Sequence, residues 1–361
     1  MTMEQLVQSL FPLIPPVVPE FRSITVGGAV MGAALESSSW KYGQFNDCCL
    51  EYDLLLGNGE LITVSREKHP DLFWGVSGSY GTLAILTRIR VRLIKAKSSV
   101  HLKMLEGDPL KIFNDLPACD FCDAVCFPQK SITLLGNFSD EAPTHFLRPQ
   151  SPWFYQLLEG RELILSTIDY LFRFDRGAFW MGRYLLSMKM IGHALLRNSP
   201  RKTVAKIDKE PGPFFRFLFG RACTSRLLYR ALHTMPQKII QDAFFIHDFY
   251  MPPEKVEIFL KKNQIFPIWL CPIKGTEEPQ FLSPHFGKPR WINVGLYGPY
   301  QESLDLFCNE LGGRKMLYSS TRLERSDFEK IYLEDRYQEL RKKFSAEKKF
   351  PHLYDKVKWN R

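Results

Sequence analysis

The chain has 361 residues, a formal net charge of +9 at neutral pH, and 28 Phe, 14 Tyr and 7 Trp. Such a length buries a sizeable core and suits about two domains, and the aromatic content excludes a disordered or low-complexity chain. Eight cysteines in a chain this long do not make the dense disulfide framework of a small secreted domain, so reduced thiols are expected. The positive charge suits an anionic surface or an anionic dinucleotide, and no nucleic-acid motif accompanies it.

Thr2 to Leu10 reads as a short amphipathic helix, and Pro12 to Pro19 as an extended connector. The most apolar N-terminal stretch, Leu6 to Phe21, carries Pro12, Pro15, Pro16 and Pro19. A spanning or signal helix tolerates these poorly, and no basic leader precedes them. A β-branched run, Ile24-Thr25-Val26, then opens into Gly27-Gly28, with Gly32 following and small or hydroxyl residues continuing to Ser39. Glycine permits positive φ and lets a flat or anionic ligand approach the main chain, and free N–H groups in such a turn form an anion-binding concavity. The competing reading is a glycine-rich turn feeding a tightly packed small-residue helix, and spacing alone favours it.

Leu50 to Leu56 and Glu60 to Ser65 are apolar-rich runs joined by Gly57-Asn58-Gly59, a hairpin signal because Asn and Gly accept positive φ. Asp71-Leu72-Phe73-Trp74-Gly75 begins a short helix that breaks at Ser77-Gly78-Ser79-Tyr80-Gly81. From Ile85 to Leu93, Ile89, Val91 and Leu93 alternate with Arg88, Arg90 and Arg92, a strand with one buried and one basic face. The basic face is either solvated or placed to meet phosphate.

Asp120 to Phe127 and Ile132 to Gly136 read as paired strands. Cys119, Cys122 and Cys126 have a metal-like spacing, but apolar residues interleave with them and no partnering Cys or His pair follows, so no metal site is expected. Pro152 to Ala205 is aromatic and basic, with Arg173, Arg176, Arg197, Arg201 and Lys202. Lys206 to Gly212 is a turn-rich break before the aromatic run Phe214 to Gly220. These stretches suit either a membrane-facing surface or solvated helices beside core aromatics. Phe244 to Met251, Phe266 to Pro272 and Trp291 to Tyr297 suggest an antiparallel sheet, with helices at Ser303 to Leu311 and Arg325 to Phe344. The fold class is α+β.

Thr25-Val26-Gly27-Gly28, Glu36-Ser37-Ser38-Ser39, Lys41-Tyr42-Gly43, Asp71-Leu72-Phe73-Trp74 and Gly81-Thr82-Leu83 resemble the second half of a PCMH-type (vanillyl-alcohol-oxidase-like) FAD-binding domain. More narrowly, the chain resembles the Diminuto/seladin family, the delta(24)-sterol reductases, from about Thr2 onward. Later words agree in order: Phe215-Arg216-Phe217-Leu218-Phe219-Gly220, Phe266-Pro267-Ile268-Trp269-Leu270-Cys271-Pro272, Gly295-Leu296-Tyr297-Gly298, Met316-Leu317-Tyr318 and Phe350-Pro351-His352-Leu353-Tyr354-Asp355-Lys356. The resemblance implies the C-terminal part of that FAD domain at 1–97, ending near Lys97, and a substrate-capping domain with an antiparallel sheet and helices at 98–361. It implies reduction of a sterol side-chain double bond with FAD, NADPH as electron source, and an endoplasmic reticulum membrane setting, although no membrane-spanning segment is evident. Another FAD-linked oxidoreductase of the same fold is the enzymatic rival.

For FAD contact, the residues that match the family's segment are Thr25, Val26, Gly27, Gly28, Ala29, Val30, Met31, Gly32, Ala33, Ala34, Leu35, Glu36 and Ser37. Ser38 offers a further hydroxyl, and Gly78 and Gly81 form a second tier. An isolated alkene has no carbonyl to polarise, so a hydride must be matched by a placed proton. The sequence does not reveal the acid. Asp248 and Tyr297 lie on strands that can face a ligand, whereas His247 must point to the opposite face from Asp248. Arg173 and Arg176 are either contacts for a nicotinamide dinucleotide phosphate or solvated charge. The resemblance starts beyond the family's first FAD subdomain, with its pyrophosphate loop and membrane anchor. The chain is therefore expected to be a fragment of an active flavoenzyme, a shortened protein completed by a partner chain, or a non-catalytic sterol- or lipid-binding relative.

Overall fold

A computed structural model describes residues 1–159, 162–185, 210–234, 244–299, 304–332 and 335–358. The first helix, Met3–Leu10, is opened by a reciprocal cap: the Gln5 N–H donates to Thr2 Oγ1 at 3.3 Å and the Thr2 N–H to Gln5 Oε1 at 2.9 Å. Met3, Leu6 and Val7 form its buried face. The connector pairs briefly as β1 (Leu13–Ile14) with β5 (Ile94–Lys95). The β-branched run at Ile24 does not continue as a strand. Thr25 caps a short helix, Val26–Met31, its Oγ1 accepting from the Gly28 N–H at 3.0 Å, and a hydroxyl offering that bond favours a helix start over a ladder.

A three-stranded antiparallel sheet follows, in the order β3 (Leu61–Ser65), β2 (Cys49–Leu55), β4 (Ile85–Val91). Register shifts between β2 and β4 bring Arg88 opposite Asp53. There Arg88 pairs with Asp53 at 2.5 Å and with Glu51 at 2.9 Å, so this arginine is matched by carboxylates of its own sheet. The helix Pro70–Gly75 ends in a loop where Gly78, Tyr80 and Gly81 all have φ above +50°.

All strands of the larger sheet come from Ser99 onward. Its order is β13 (Arg314–Lys315), β10 (Phe244–Met251), β12 (Arg290–Pro299), β11 (Ile268–Lys274), β7 (Phe121–Cys126), β8 (Ser131–Ser139), β6 (Ser99–Glu106), β9 (Leu163–Ser166). Every neighbouring pair is antiparallel. β11 begins two residues later than the apolar run suggests, since Pro267 has no N–H to give the ladder.

Period two splits this sheet into unlike faces. Ile292, Val294 and Leu296 of β12, with Phe249, Met251, Ile268, Leu270 and Ala124, make one dry core. Val256 and Phe259 of the helix Val256–Lys262 and Leu304 of the helix Leu304–Glu310 pack into it. The opposite face carries Asp123, Asp248, Tyr250, Trp269, Cys271, Asn293 and Tyr297, and the N-terminal region packs there through Cys122 N–H to Ser37 O and Cys271 Sγ to Glu36 O.

In the described part of the stretch after Pro152, the aromatics follow the core reading rather than the membrane-facing one. Trp153, Phe154, Tyr155, Tyr170, Phe174, Phe179 and Trp180 are core residues, because acidic partners elsewhere in the fold absorb the charge beside them. Arg197, Arg201, Lys202 and Lys206 lie outside the described residues. The helices Arg325–Tyr332 and Asp335–Lys343 return to the N-terminal region: Arg341 Nη1 donates to Thr82 O at 2.6 Å and Tyr337 Oη to Thr82 Oγ1 at 3.0 Å.

Candidate functional site

The polar face of the large sheet gathers its chemistry around Asp248. Tyr297 Oη and Asn293 Nδ2 donate to Asp248 Oδ1 at 2.8 and 2.6 Å, and Tyr318 Oη donates to Oδ2 at 2.5 Å. Asp248 faces Gly295 across the β10–β12 ladder. A Cβ at 295 would sit 2.5 Å from Tyr297 Oη and 2.8 Å from Asp248 Oδ1, so the glycine vacates the space in which the two meet. Burial raises the Asp248 carboxyl and the three donors offset only part of that rise. Burial and the neighbouring carboxylate hold the Tyr297 and Tyr318 hydroxyls well above the usual phenol range. Tyr318 is 46% exposed. The cluster therefore links a buried carboxyl to a tyrosine that is exposed over part of its ring while its hydroxyl is turned in toward the carboxyl. His247 lies on the other face, with Nδ1 2.7 Å from Ser319 Oγ, as alternation requires.

Thr25, Val26 and Gly27 edge an open groove of about 400 Å³, whose opposite wall is the half-buried face of β4 with Leu86, Ile89 and Val91. A Cβ at Gly27 would meet nothing nearer than Leu86 at 3.8 Å, leaving the main chain open to a flat group. Gly28 and Gly32 are tighter, their added Cβ atoms falling 2.9 Å from Thr25 Oγ1 and 3.0 Å from Gly28 O. Met31, Gly32 and Ala34 are half-buried, and Ala29, Val30, Ala33, Leu35, Glu36 and Ser37 are buried. Ser37 Oγ lies 2.8 Å from Tyr170 Oη, and Ser38 Oγ donates to Pro16 O. Gly78 packs on main chain, where a Cβ would fall 2.7 Å from Leu282 O; Gly81 has more room.

Tyr80 ties the glycine segment to the acid cluster. Its N–H donates to Met31 O at 3.0 Å, and its hydroxyl accepts from the Leu317 N–H at 3.0 Å, one residue before Tyr318.

Below both lies a dry ionic knot. Arg173 reaches Glu36 at 2.6 Å and Asp123 at 2.9 Å, all three side chains fully buried. Trp269 Nε1 also donates to Asp123, and the guanidinium sits 4.3 Å over the Tyr170 ring. Burial opposes the Arg173 charge, but Asp123 and Glu36 hold it firmly protonated. The Glu20 carboxyl is driven well above the usual range, first by burial and then by Glu36. Arg173 is thus neither solvated nor free for a dinucleotide, because Glu36 and Asp123 claim it. Arg176 is half-buried and donates to Leu147 O at 2.6 Å.

No family model matches the chain. The delta(24)-sterol reductase of Homo sapiens is 27% identical over 379 aligned residues, covering 95% of this chain and 69% of that protein. The delta(24)-sterol reductase of Arabidopsis thaliana is 25% identical, covering 96% of this chain and 69% of its own length. The chain is a homologue of the delta(24)-sterol reductases. Cytokinin dehydrogenase 6 of Oryza sativa is 28% identical over 163 residues, 45% of this chain and 28% of that protein.

In this sterol-reductase homologue one further constellation escaped sequence reasoning. His285 Nε2 lies 2.7 Å from Asp47 Oδ2 and its Nδ1 2.8 Å from Ser283 Oγ, the residue types of a hydrolytic triad. Ser283 Oγ donates to Gln44 Oε1 at 2.6 Å, and both Ser283 and His285 are fully buried. A serine that gives its proton to an amide in a closed core cannot attack a substrate. The set joins the turn Phe45–Cys48 to the loop after β11. Cys122 and Cys126 belong to the dry core, all eight cysteines are free and buried, and no metal-holding cluster occurs among the described residues.

Proposed function

We propose that this chain is an FAD-dependent oxidoreductase of the sterol-reductase type, reducing a carbon–carbon double bond in a sterol side chain with NADPH as electron source. The likeness to the reductases across 95% of the chain supports the substrate class. The observation that carries the mechanism is the tie, through Tyr80, between the glycine segment and the Asp248 cluster. The boundary between an FAD-binding part of PCMH type (1–97) and a capping part (98–361) rests on sheet membership, since the three-stranded sheet ends at Val91 and the large sheet begins at Ser99.

The open main chain at Gly27, the Thr25 hydroxyl and a β4 wall that mixes Leu86, Ile89 and Val91 with Thr87 and Arg88 fit the edge of a flat, partly polar ring system. Thr25, Val26 and Gly27 would hold FAD there. Ala29 to Ser37 would act from behind, fixing the short helix. When bound, FAD supplies the hydride. What remains for the chain is to orient the alkene and protonate its second carbon. Tyr318, the partly exposed member of the cluster, gives the proton and regains one from solvent, while the Asp248 carboxylate, which accepts from its hydroxyl, orients it. Tyr297 and Asn293 hold that carboxyl in place. One hydride and one proton then complete the two-electron reduction. NADPH contacts are not assigned to Arg173 or Arg176, both engaged within the fold.

The test separates the two half-reactions. Tyr318→Phe and Asp248→Asn should retain flavin and its reduction by NADPH while losing roughly 10²–10⁴-fold in transfer to the sterol. Unchanged sterol turnover in both variants would remove the cluster from the mechanism. The partial match to a cytokinin dehydrogenase favours one rival, an FAD-linked oxidoreductase of the same fold with another substrate; flavin reoxidation by a panel of sterols against a cytokinin decides between them.

A further inference from the structure

The helix Pro213–Phe219 has no buried side chain. Phe214 and Phe217 are 76% and 75% exposed, and Leu218 and Phe219 are at least half exposed. The turn beyond it packs on Pro149, where a Cβ at Gly220 would fall 2.0 Å from Pro149 O. Phe146 and Arg148, on the loop that leads into Pro149, are exposed as well. A lone exposed phenylalanine needs no explanation, but a run of four large apolar side chains on one short helix does.

Charge says what covers it. From Pro211 to Thr234 there is no Asp or Glu, while Arg216, Arg221, Arg226 and Arg230 recur at intervals of four or five. Arg221, Arg226 and Arg230 are exposed. An aromatic cluster within a one-signed basic field matches an anionic lipid surface: rings enter the headgroup boundary and guanidinium groups meet phosphates. The next helix, Ser225–Thr234, turns Arg226, Leu227 and Arg230 outward and Leu228 inward. It is pinned at its start by Asp175, which accepts from Ser225 Oγ at 2.6 Å. On the same helix Tyr229 packs 5.8 Å from Phe21, and burial pushes its hydroxyl above the usual phenol range. Among the described residues no helix is long and apolar enough to cross a membrane.

We propose that Pro213–Thr234 docks this protein peripherally on anionic phospholipid bilayers, with Phe214, Phe217, Leu218 and Phe219 inserted and Arg221, Arg226 and Arg230 on the headgroups. Docking stands without the reductase assignment.

The experiment is cosedimentation of the purified chain with phosphatidylcholine vesicles, with and without phosphatidylserine. The wild type should pellet with the anionic vesicles and be released by salt. Phe214→Ser with Phe217→Ser should weaken binding at least about tenfold. Each of Arg221→Gln, Arg226→Gln and Arg230→Gln should cost about fivefold, on anionic vesicles alone. Wild type that stays in the supernatant at low salt overturns the proposal, as does a double-serine variant that pellets like wild type. A dimer in lipid-free solution that the serine pair dissolves also overturns it, assigning the face to a second copy. Should the serine pair lower thermal stability, Phe217→Trp decides: a blue-shifted emission on anionic vesicles supports insertion, and an unshifted one refutes it.

Discussion

Tyr297 meets Asp248 in space left by Gly295: the phenol oxygen sits 2.5 Å from where a Cβ at 295 would stand, and the carboxylate 2.8 Å from it. Gly295→Ala therefore presses on both partners of one hydrogen bond. A rigid ring packed 4.7 Å from Phe179 has little room to retreat. The expected result is a loss of about 1–3 kcal/mol in stability and a drop in sterol turnover with flavin content intact. Urea denaturation and the absorbance of the purified protein check the two halves.

Gly27→Trp tests the groove. At this position a Cβ is tolerated, so the indole should fill the groove without disturbing the Thr25 cap, and stability should stay within about 0.5 kcal/mol of wild type. Flavin should be absent from the purified variant. A full flavin spectrum would move the cofactor edge elsewhere.

Arg173→Met would strand Glu36 and Asp123 in a dry core, at a cost of about 3–5 kcal/mol. Adding Glu36→Gln and Asp123→Asn should restore most of the loss, because neutral amides need no counter-charge. Denaturation of the single and triple variants gives the coupling directly. A triple variant as unstable as the single would mean that the arginine acts through packing on Tyr170 rather than charge.

Glu20 and Asp47 should tilt the pH–stability curve in opposite directions. The folded Glu20 carboxyl is raised, so the native state binds a proton that the unfolded chain has lost. Stability then falls as pH climbs from the ordinary carboxylate range toward the raised value, and Glu20→Gln should flatten that fall. Burial alone would raise Asp47, but His285, Gln280 and the Gln44 N–H together hold it below the usual range. Its contribution is present above that range and vanishes as pH drops through the depressed value, so Asp47→Asn should hurt at neutral pH and cease to matter in acid. Urea midpoints across pH resolve both slopes.

Much of this was legible in the chain. Alternation along the sequence separates Asn293, Gly295 and Tyr297 of β12 from Ile292, Val294 and Leu296, and along β10 it assigns His247 and Asp248 to opposite faces. Tyr318 was not legible as the third member, since it arrives on a loop 70 positions from Asp248. The two aromatic-basic stretches show the limit most plainly. Phe174 and Phe217 sit in similar company, Arg173 beside one and Arg216 beside the other, yet the first is sealed and the second bare. What separates them is whether distant carboxylates, Glu36 and Asp123, come to meet the arginine, and a local window carries no word of that.

The clasp of Tyr337 and Arg341 on Thr82 sets an order of events during synthesis. Arg341 follows Thr82 by 259 positions, and Ser345 O occupies the place where any side chain at Gly57 would go. When residues 1–97 leave the ribosome, the surface around Thr82 and Gly57 must wait uncovered until some 250 more have been made. A nascent chain in that interval presents apolar surface that its own later helices will eventually shield, so the growing polypeptide should be a good client for holding chaperones and a poor candidate for piecewise, domain-at-a-time folding.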